Sequence, residues 1–293
     1  MTKPPTREVF KWKLGVFFSK KREHVADDDF RLKVNFIDKD DLDIKEDFII
    51  WLGHASFYMQ IDGVKLLCDP VLGDIPFVSR MVEFPINPED LSPDIILVSH
   101  GHFDHLDLKS LEKLDIYAKK VKIITPSGLA AYIKKDADIK ELVWYEEINV
   151  SGLRITSVPA SHWHRRGLFD FNKALWCSFV IKSKNRTIFF AGDTAFNQHL
   201  KEIKSKNFQI DTALMPVGAY KPIQIMKQSH LNPQEALSAT EILGAKMMIP
   251  YHYGTFKLSD EPIGEPHSWI KRLAKQSKIK IKVLEVGEIL KDF

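Results

Sequence analysis

The sequence predicts an α/β domain in which mixed β-sheets carry helices on their outer faces. Three observations point there. Strand-like runs joined by hairpin turns come first, strands alternating with helices come later, and a histidine-rich loop directly follows a buried strand.

Taken in order, FIIWLG, SFYMQI and VKLLCD from about residue 48 read as strands, the last two joined by Asp62-Gly63, a strong hairpin signal. The Pro-rich stretch IPFVSRMVEFPINPEDLSP reads as a long loop, and DIILVS as a buried strand. HLDLKSLEKL reads as a helix, followed by strand VKIIT and a second helix, SGLAAYIKK. Strands follow around 153–158, in ALWCSFVIK and in RTIFFAG, with Lys184-Asn185 as the turn between the last two. The final third alternates strand TALMPV, helix PQEALSATEIL, strand KMMIPY, helix SWIKRLAKQ and strand IKVLEV. No repeat or flexible linker divides the chain. It reads as an N-terminal arm and acidic connector over residues 1–47, then one domain over 48–293.

Composition narrows the class. Apolar residues make up 44% and charged residues 28%, the balance of a soluble globular protein rather than a disordered or fibrous one. A net charge of +3 is too small to argue for nucleic acid as a partner. Cys68 and Cys177 are the only cysteines, too few for a disulfide framework, and they read as buried small residues of a cytoplasmic protein. No apolar run reaches the roughly 18–20 residues that span a bilayer. Residues 1–25 hold seven Lys/Arg against two Glu, interleaved with Phe10, Trp12, Leu14, Phe17 and Phe18. Such an arm covers a groove of the domain or, on the sharper reading, touches an anionic membrane surface. Residues 26–50 carry nine Asp/Glu against four Lys/Arg and read as a solvated connector. Nothing in the sequence sets an oligomeric state.

The chemistry concentrates in His100-Gly-His102-Phe-Asp104-His105. Alternate residues of a strand share a face, so His100 and His102 can point one way, while the following turn brings Asp104 and His105 to a second point. Imidazole and carboxylate together suit zinc, with iron or manganese acceptable. Further metal-ligating side chains stand just past later apolar strands: His162 after TSVPAS, Asp193 after TIFFAG and His252 after MMIPY. Ligand sites of open α/β sheets collect at such strand ends. His164 is the alternative to His162.

This pattern resembles the metallo-β-lactamase superfamily. The resemblance implies a four-layer αββα sandwich of two mixed β-sheets, with two divalent metal ions at one edge. It carries His100, His102 and His162 to one metal, Asp104, His105 and His252 to the other, and Asp193 between them. Neither cysteine follows a ligand-bearing strand, unlike the second site of true β-lactamases. Trp51-Leu-Gly-His54, Cys68-Asp69-Pro70, Pro159-Ala-Ser-His162-Trp163, Gly192-Asp193-Thr194, His230-Leu-Asn-Pro233 and His252-Tyr-Gly254 occur in that order. Over residues 48–260 they resemble the branch of N-acyl-phosphatidylethanolamine-hydrolysing phospholipases D and their bacterial relatives.

Two metals can hold a hydroxide between them and clamp both oxygens of an in-line displacement, so no serine nucleophile is needed, and the chain has no Gly-x-Ser-x-Gly. Dinuclear, metal-dependent hydrolysis follows from this ligand set, and the resemblance implies that it acts on phosphodiesters, with a phospholipid or small-molecule substrate. Hydrolysis of a lactone or amide of a soluble metabolite is the alternative. Asp104 is expected to orient the nucleophile, and His230 to transfer a proton or contact the transition-state oxyanion. His54 and Asp69 are expected to orient metal-bound imidazoles. His24, His199 and His267 read as surface residues.

Overall fold

The structure, a computed structural model, describes residues 29–115 and 121–293. The basic aromatic segment 1–25, and with it His24, lies outside the described residues. Within them the strands form two seven-stranded mixed sheets. The first holds β1 (Phe48–Gly53), β2 (Ser56–Ile61), β3 (Val64–Cys68), β4 (Ile95–Leu97), β5 (Lys122–Pro126) and β6 (Asp138–Leu142). The second holds β7 (Glu147–Val150), β8 (Leu153–Val158), β9 (Ser178–Lys182), β10 (Thr187–Phe190), β11 (Thr212–Pro216), β12 (Met247–Tyr251) and β13 (Lys280–Ile281). A last strand, β14 (Ile289–Leu290), returns to pair antiparallel with β1 of the first sheet.

Each sheet combines an antiparallel meander with a parallel half. β1, β2 and β3 are antiparallel neighbours, while β3 to β6 run parallel. β7 to β10 are antiparallel, while β10 to β13 run parallel. The turn between β2 and β3 has positive φ at both Asp62 (48°) and Gly63 (81°), the geometry that matches hairpin twist.

The apolar runs explain the layers. β1 is buried along its whole length because it is covered on both faces. Ile49 and Trp51 face the second sheet, in one core cluster with Phe179 and Phe190, a cross-strand pair on its inner face. Phe48, Ile50 and Leu52 face outward, in the cluster that includes Leu111 of helix α1 (Leu108–Lys113). On the other side, α2 (His199–Ser205) and, after the short α3 (Ile223–Met226), α4 (Pro233–Leu243) and α5 (Glu265–Ala274) place Leu200, Ala236, Leu243 and Ile270 in the core cluster of the second sheet. The order helix, sheet, sheet, helix follows. α4 starts where its sequence says it should, with Asn232 and Glu235 forming a reciprocal capping box and Pro233 at the first turn, and Gly244 ends it at φ 73°. Both cysteines are buried and unpaired. Among the described residues no helix is long and apolar enough to cross a membrane.

Three expectations need correction. The connector is not simply solvated: Leu32, Ile37 and Leu42 are buried, and Val34 and Ile37 form parallel bridges with Val286 and Ile86. These apolar residues pack on the domain while Asp38, Asp40, Asp41, Asp43 and Glu46 are exposed. SGLAAYIKK forms only a 3-10 turn at Ala130–Tyr132, because the backbone N–H groups of Gly128 and Ala130 are taken by the Glu141 carboxylate at 2.7 and 2.8 Å. Of IKVLEV only Ile281 lies in a sheet strand, as the second residue of β13.

Candidate metal centre

The strands that carry the candidate ligands all end at one edge of the sandwich, so residues spread from 54 to 252 meet there. His54 sits in the turn between β1 and β2, Asp69 follows β3, and the His100–His105 loop follows β4. His162 follows β8, Asp193 follows β10 and His252 follows β12.

The side chains form two adjoining sets. In the first, His102 Nδ1 lies 2.9 Å from His100 Nε2 and 3.1 Å from His162 Nε2. Asp193 Oδ2 closes this set at 4.0 Å from His100 Nε2 and 3.8 Å from His162 Nε2. In the second, Asp193 Oδ1 lies 3.3 Å from His105 Nε2 and 3.1 Å from His252 Nε2. Asp104 Oδ2 stands 3.6 Å from His105 Nε2 and 3.8 Å from His252 Nε2. A tetrahedral site with metal–nitrogen bonds of about 2.0–2.1 Å separates its donors by about 3.3 Å, close to these spacings. One carboxylate, Asp193, thus turns a different oxygen to each set.

A second layer aims the ligands. The Asp69 carboxylate is fully buried, accepts from His105 Nδ1 at 2.6 Å, and is held in turn by Ser99 N (2.7 Å) and Ser99 Oγ (2.5 Å). That bond places the His105 proton on Nδ1 and leaves Nε2 free to ligate. His162 Nδ1 reaches the Ser229 carbonyl at 3.0 Å. His54 Nε2 lies 2.9 Å from Asp104 Oδ2, so it supports a carboxylate rather than an imidazole. His54 and His252 both hold positive φ, 51° and 69°, and the His252 N–H donates to the His54 carbonyl. Such non-glycine strain persists only where surrounding contacts enforce it.

The electrostatics fit a cation. Asp69, Asp104 and Asp193 are carboxylates at the heart of the site, and none pairs with a Lys or Arg side chain among the described residues. His105 Nε2, His252 Nε2 and Asp193 Oδ1 are buried with no hydrogen-bond partner. Uncompensated buried charge is costly, and orphaned donors converging on one point are what a metal site looks like without its ion. Burial pushes His54 and His162 down to about 3, and His100 and His102 well below the usual imidazole range. These rings are therefore neutral, the state that offers a lone pair. Burial also works against a charged His105, but the carboxylates of Asp193 and Asp104 outweigh it and raise its pKa. Burial likewise opposes ionised Asp193 and is outweighed by His105 and His252, which hold the carboxyl well below its usual range.

His230 stands against the centre with Nδ1 3.7 Å from Asp193 Oδ2. That nitrogen is unpartnered, and the ring lines the cavity above the site. His164 does not join. It is buried elsewhere, with Nε2 3.2 Å from Tyr132 Oη. His199, expected at the surface, is buried on α2 beside Leu200 and Ile203, with Nε2 3.0 Å from Thr194 Oγ1. His267 is half-buried against Phe30, ring centroids 5.0 Å apart.

Sequence reasoning passed over Ser99, Arg166 and Gly218. Ser99 directly precedes the histidine loop and was within reach of inspection. Arg166 Nη1 donates to the carbonyls of Gly101 (2.8 Å) and Leu106 (2.7 Å), clamping both ends of that loop from a distant segment. Gly218 packs so closely on the His252 carbonyl that a Cβ there would collide with it. Neither contact leaves a sequence signal.

Two mixed sheets with a histidine–aspartate cluster at their shared edge define a metal-dependent hydrolase. Residues 65–253 match the family model described as the beta-lactamase superfamily domain, and the chain belongs to that superfamily. It is 35% identical over 266 residues to N-acyl-phosphatidylethanolamine-hydrolyzing phospholipase D 1 of Caenorhabditis elegans, covering 84% of this chain and 75% of that one. It is 36% identical over 241 residues to the mitochondrial N-acyl-phosphatidylethanolamine-hydrolyzing phospholipase D of Saccharomyces cerevisiae. That match covers 76% of this chain and 51% of the yeast protein, so the chain spans about half that relative's length. A metal-dependent hydrolase of Methanopyrus kandleri is 30% identical over 249 residues, 82% of this chain and 97% of that one. Among solved structures, a metallo hydrolase from Ignicoccus hospitalis shares the fold, with a TM-score of 0.65 at 20% identity over 84% of this chain and 98% of that one.

Proposed function

We propose that this hydrolase is dinuclear and cleaves phosphodiesters, with glycerophospholipids of the N-acyl-phosphatidylethanolamine type as its substrate class. The observation that carries the dinuclear reading is Asp193, whose Oδ2 faces His100 and His162 while Oδ1 faces His105 and His252. His100, His102 and His162 would hold one ion, Asp104, His105 and His252 the other, with zinc the best match to the donors and iron or manganese compatible. Bound there, the ions would acidify water from a pKa of about 15.7 towards 7 and offset the charge of a phosphodiester.

The chain's own residues do the rest. Asp104, fixed by His54, and Asp193 set the negative wall against which the nucleophile is oriented. His230 is pushed down to about 4 by burial, so it meets the substrate as a neutral imidazole that can donate to, or exchange a proton with, an oxygen at the reacting phosphorus. A cavity of about 690 Å³ rises from His102, Asp104, Asp193 and His230 between Ile75, Val78, Trp163, Ile225, Met226 and Leu258. Its size is in the range of ligand pockets, and its apolar walls support a lipid over a soluble lactone or amide.

The test has two arms. Elemental analysis of reconstituted protein should find about two transition ions per chain. Turnover should then be measured on N-acyl-phosphatidylethanolamine, bis-p-nitrophenyl phosphate and a lactone panel. Hydrolysis of lactones alone would overturn the phosphodiester reading, and a single bound ion with full activity would overturn the dinuclear one.

A further inference from the structure

We propose that the rim of this cavity is a docking face for an anionic lipid bilayer, so that lipid passes from the membrane to the centre without crossing water. The inference rests on the phospholipid reading above. It names a surface distinct from the N-terminal arm.

Nine large apolar side chains are exposed among the described residues, and five of them stand around one opening. They are Phe77 (105% exposed), Phe103 (39%), Leu168 (78%), Phe169 (85%) and Ile223 (58%). Phe103 and Leu168 line the cavity themselves; Pro76 and Val78 beside Phe77, Leu168 beside Phe169 and Ile225 two residues past Ile223 line it too, which sets the five at its mouth. Apolar side chains scattered singly over a surface need no explanation, but a ring of them round an opening marks an interaction site.

The presentation of Phe77 is built into the fold. Ile75 and Val78 exchange both backbone hydrogen bonds at 3.1 Å, which leaves Pro76 and Phe77 at the tip of a tight turn. Ile75 anchors that turn in a small core with Val71 and Phe256. Phe77 is held at φ 69°, an unusual backbone conformation for a bulky side chain, and it faces solvent with no contact to repay it.

Charge selects the partner. Arg165 and Lys227, on the same loops, are exposed. The carboxylates of those loops are held by their own loops: half-buried Asp170 accepts from Gly167 N and Tyr132 Oη, both at 2.8 Å, and exposed Asp74 from Arg80 N at 2.7 Å. An apolar ring flanked by outward cations complements an anionic bilayer, each cation adding about fivefold to binding. A second copy of the same face would set like charges against each other.

The experiment uses the full chain, so that the arm is present throughout. Phe77→Cys, Phe169→Cys and, as control, Phe36→Cys are each labelled with an environment-sensitive fluorophore, the native cysteines being buried. Vesicles of phosphatidylcholine with and without phosphatidylglycerol are then added. Docking by the rim predicts a blue shift at positions 77 and 169, none at 36, and dependence on the anionic lipid. It also predicts that Phe77→Ser/Phe169→Ser weakens vesicle flotation at least tenfold while turnover of bis-p-nitrophenyl phosphate is unchanged. Flotation without a shift at 77 assigns binding to the arm and overturns the proposal, as does absence of flotation. A shift that grows with protein concentration in the absence of lipid overturns it in favour of a second copy. Hydrolysis of detergent-dispersed N-acyl-phosphatidylethanolamine without rim insertion sinks the docking face alone, whereas rim insertion without any phospholipid hydrolysis sinks the substrate reading.

Discussion

Replacing Asp69 by asparagine exchanges one oxygen for an amide NH₂ at nearly constant volume, and the surrounding hydrogen bonds dictate which one. Ser99 N donates to Asp69 Oδ1 at 2.7 Å, so the amide oxygen must stay there. The NH₂ then occupies the Oδ2 position, 2.6 Å from His105 Nδ1. Two donors cannot face each other, so His105 Nδ1 must become an acceptor and its proton moves to Nε2. That nitrogen faces Asp193 and Asp104, and once protonated it cannot ligate a metal. Ser99 Oγ can rotate to accept from the new amide, so the fold itself loses only about 1 kcal/mol. Metal affinity should fall about 10–100-fold, the usual cost of an outer-shell partner. Competition with a chromophoric chelator measures this, and nitrogen NMR of the metal-free variant reports the tautomer. Wild-type affinity in a variant whose His105 proton has moved to Nε2 would refute the reasoning.

Other outcomes follow from the same structure. His230→Gln should lower kcat by about 10²–10⁴ with metal content unchanged, and loss of metal with activity would instead make His230 a ligand. Gly218→Ala should cost about 1–3 kcal/mol in a thermal melt, since a Cβ collides with the His252 carbonyl; an unaltered melting temperature would contradict that. His199 is depressed to about 4 by burial, so above about pH 6.5 it is neutral in both states and its contribution is complete. As pH falls from about 6.5 to 4 the unfolded chain takes up a proton that the folded one does not, and about 3 kcal/mol is lost. His199→Gln should flatten that part of the stability curve, and superimposable slopes would exclude the effect.

Legibility differed between the parts of the molecule for physical reasons. Strands buried on both faces, such as FIIWLG and KMMIPY, read clearly because every residue had to be apolar. β6 and β7 did not, since they are edge strands with little buried apolar surface: DIKEL breaks its alternation at Lys140-Glu141, and EINV alternates over only four residues, none of them fully buried. The SGLAAYIKK helix was misread because its N–H groups are claimed by Glu141, a residue on another strand. The ligand positions stood out because each is a histidine or aspartate just past an apolar run. His199 was misjudged because the apolar spacing of Leu200 and Ile203, which buries that helix face, was not weighed. The Arg166 clamp joins loops about sixty residues apart and is invisible without coordinates.

The centre draws on both halves of the sandwich, with a consequence for anyone who would cut the chain. A break in the short connection between β6 and β7 leaves His54, Asp69 and the His100–His105 loop on one fragment, and His162, Asp193, His230 and His252 on the other. Neither piece owns a full complement of donors, yet β14 from the second still belongs beside β1 of the first. Such fragments should reassemble in proportion to the ion supplied, which would make the split protein a reporter of its own metal.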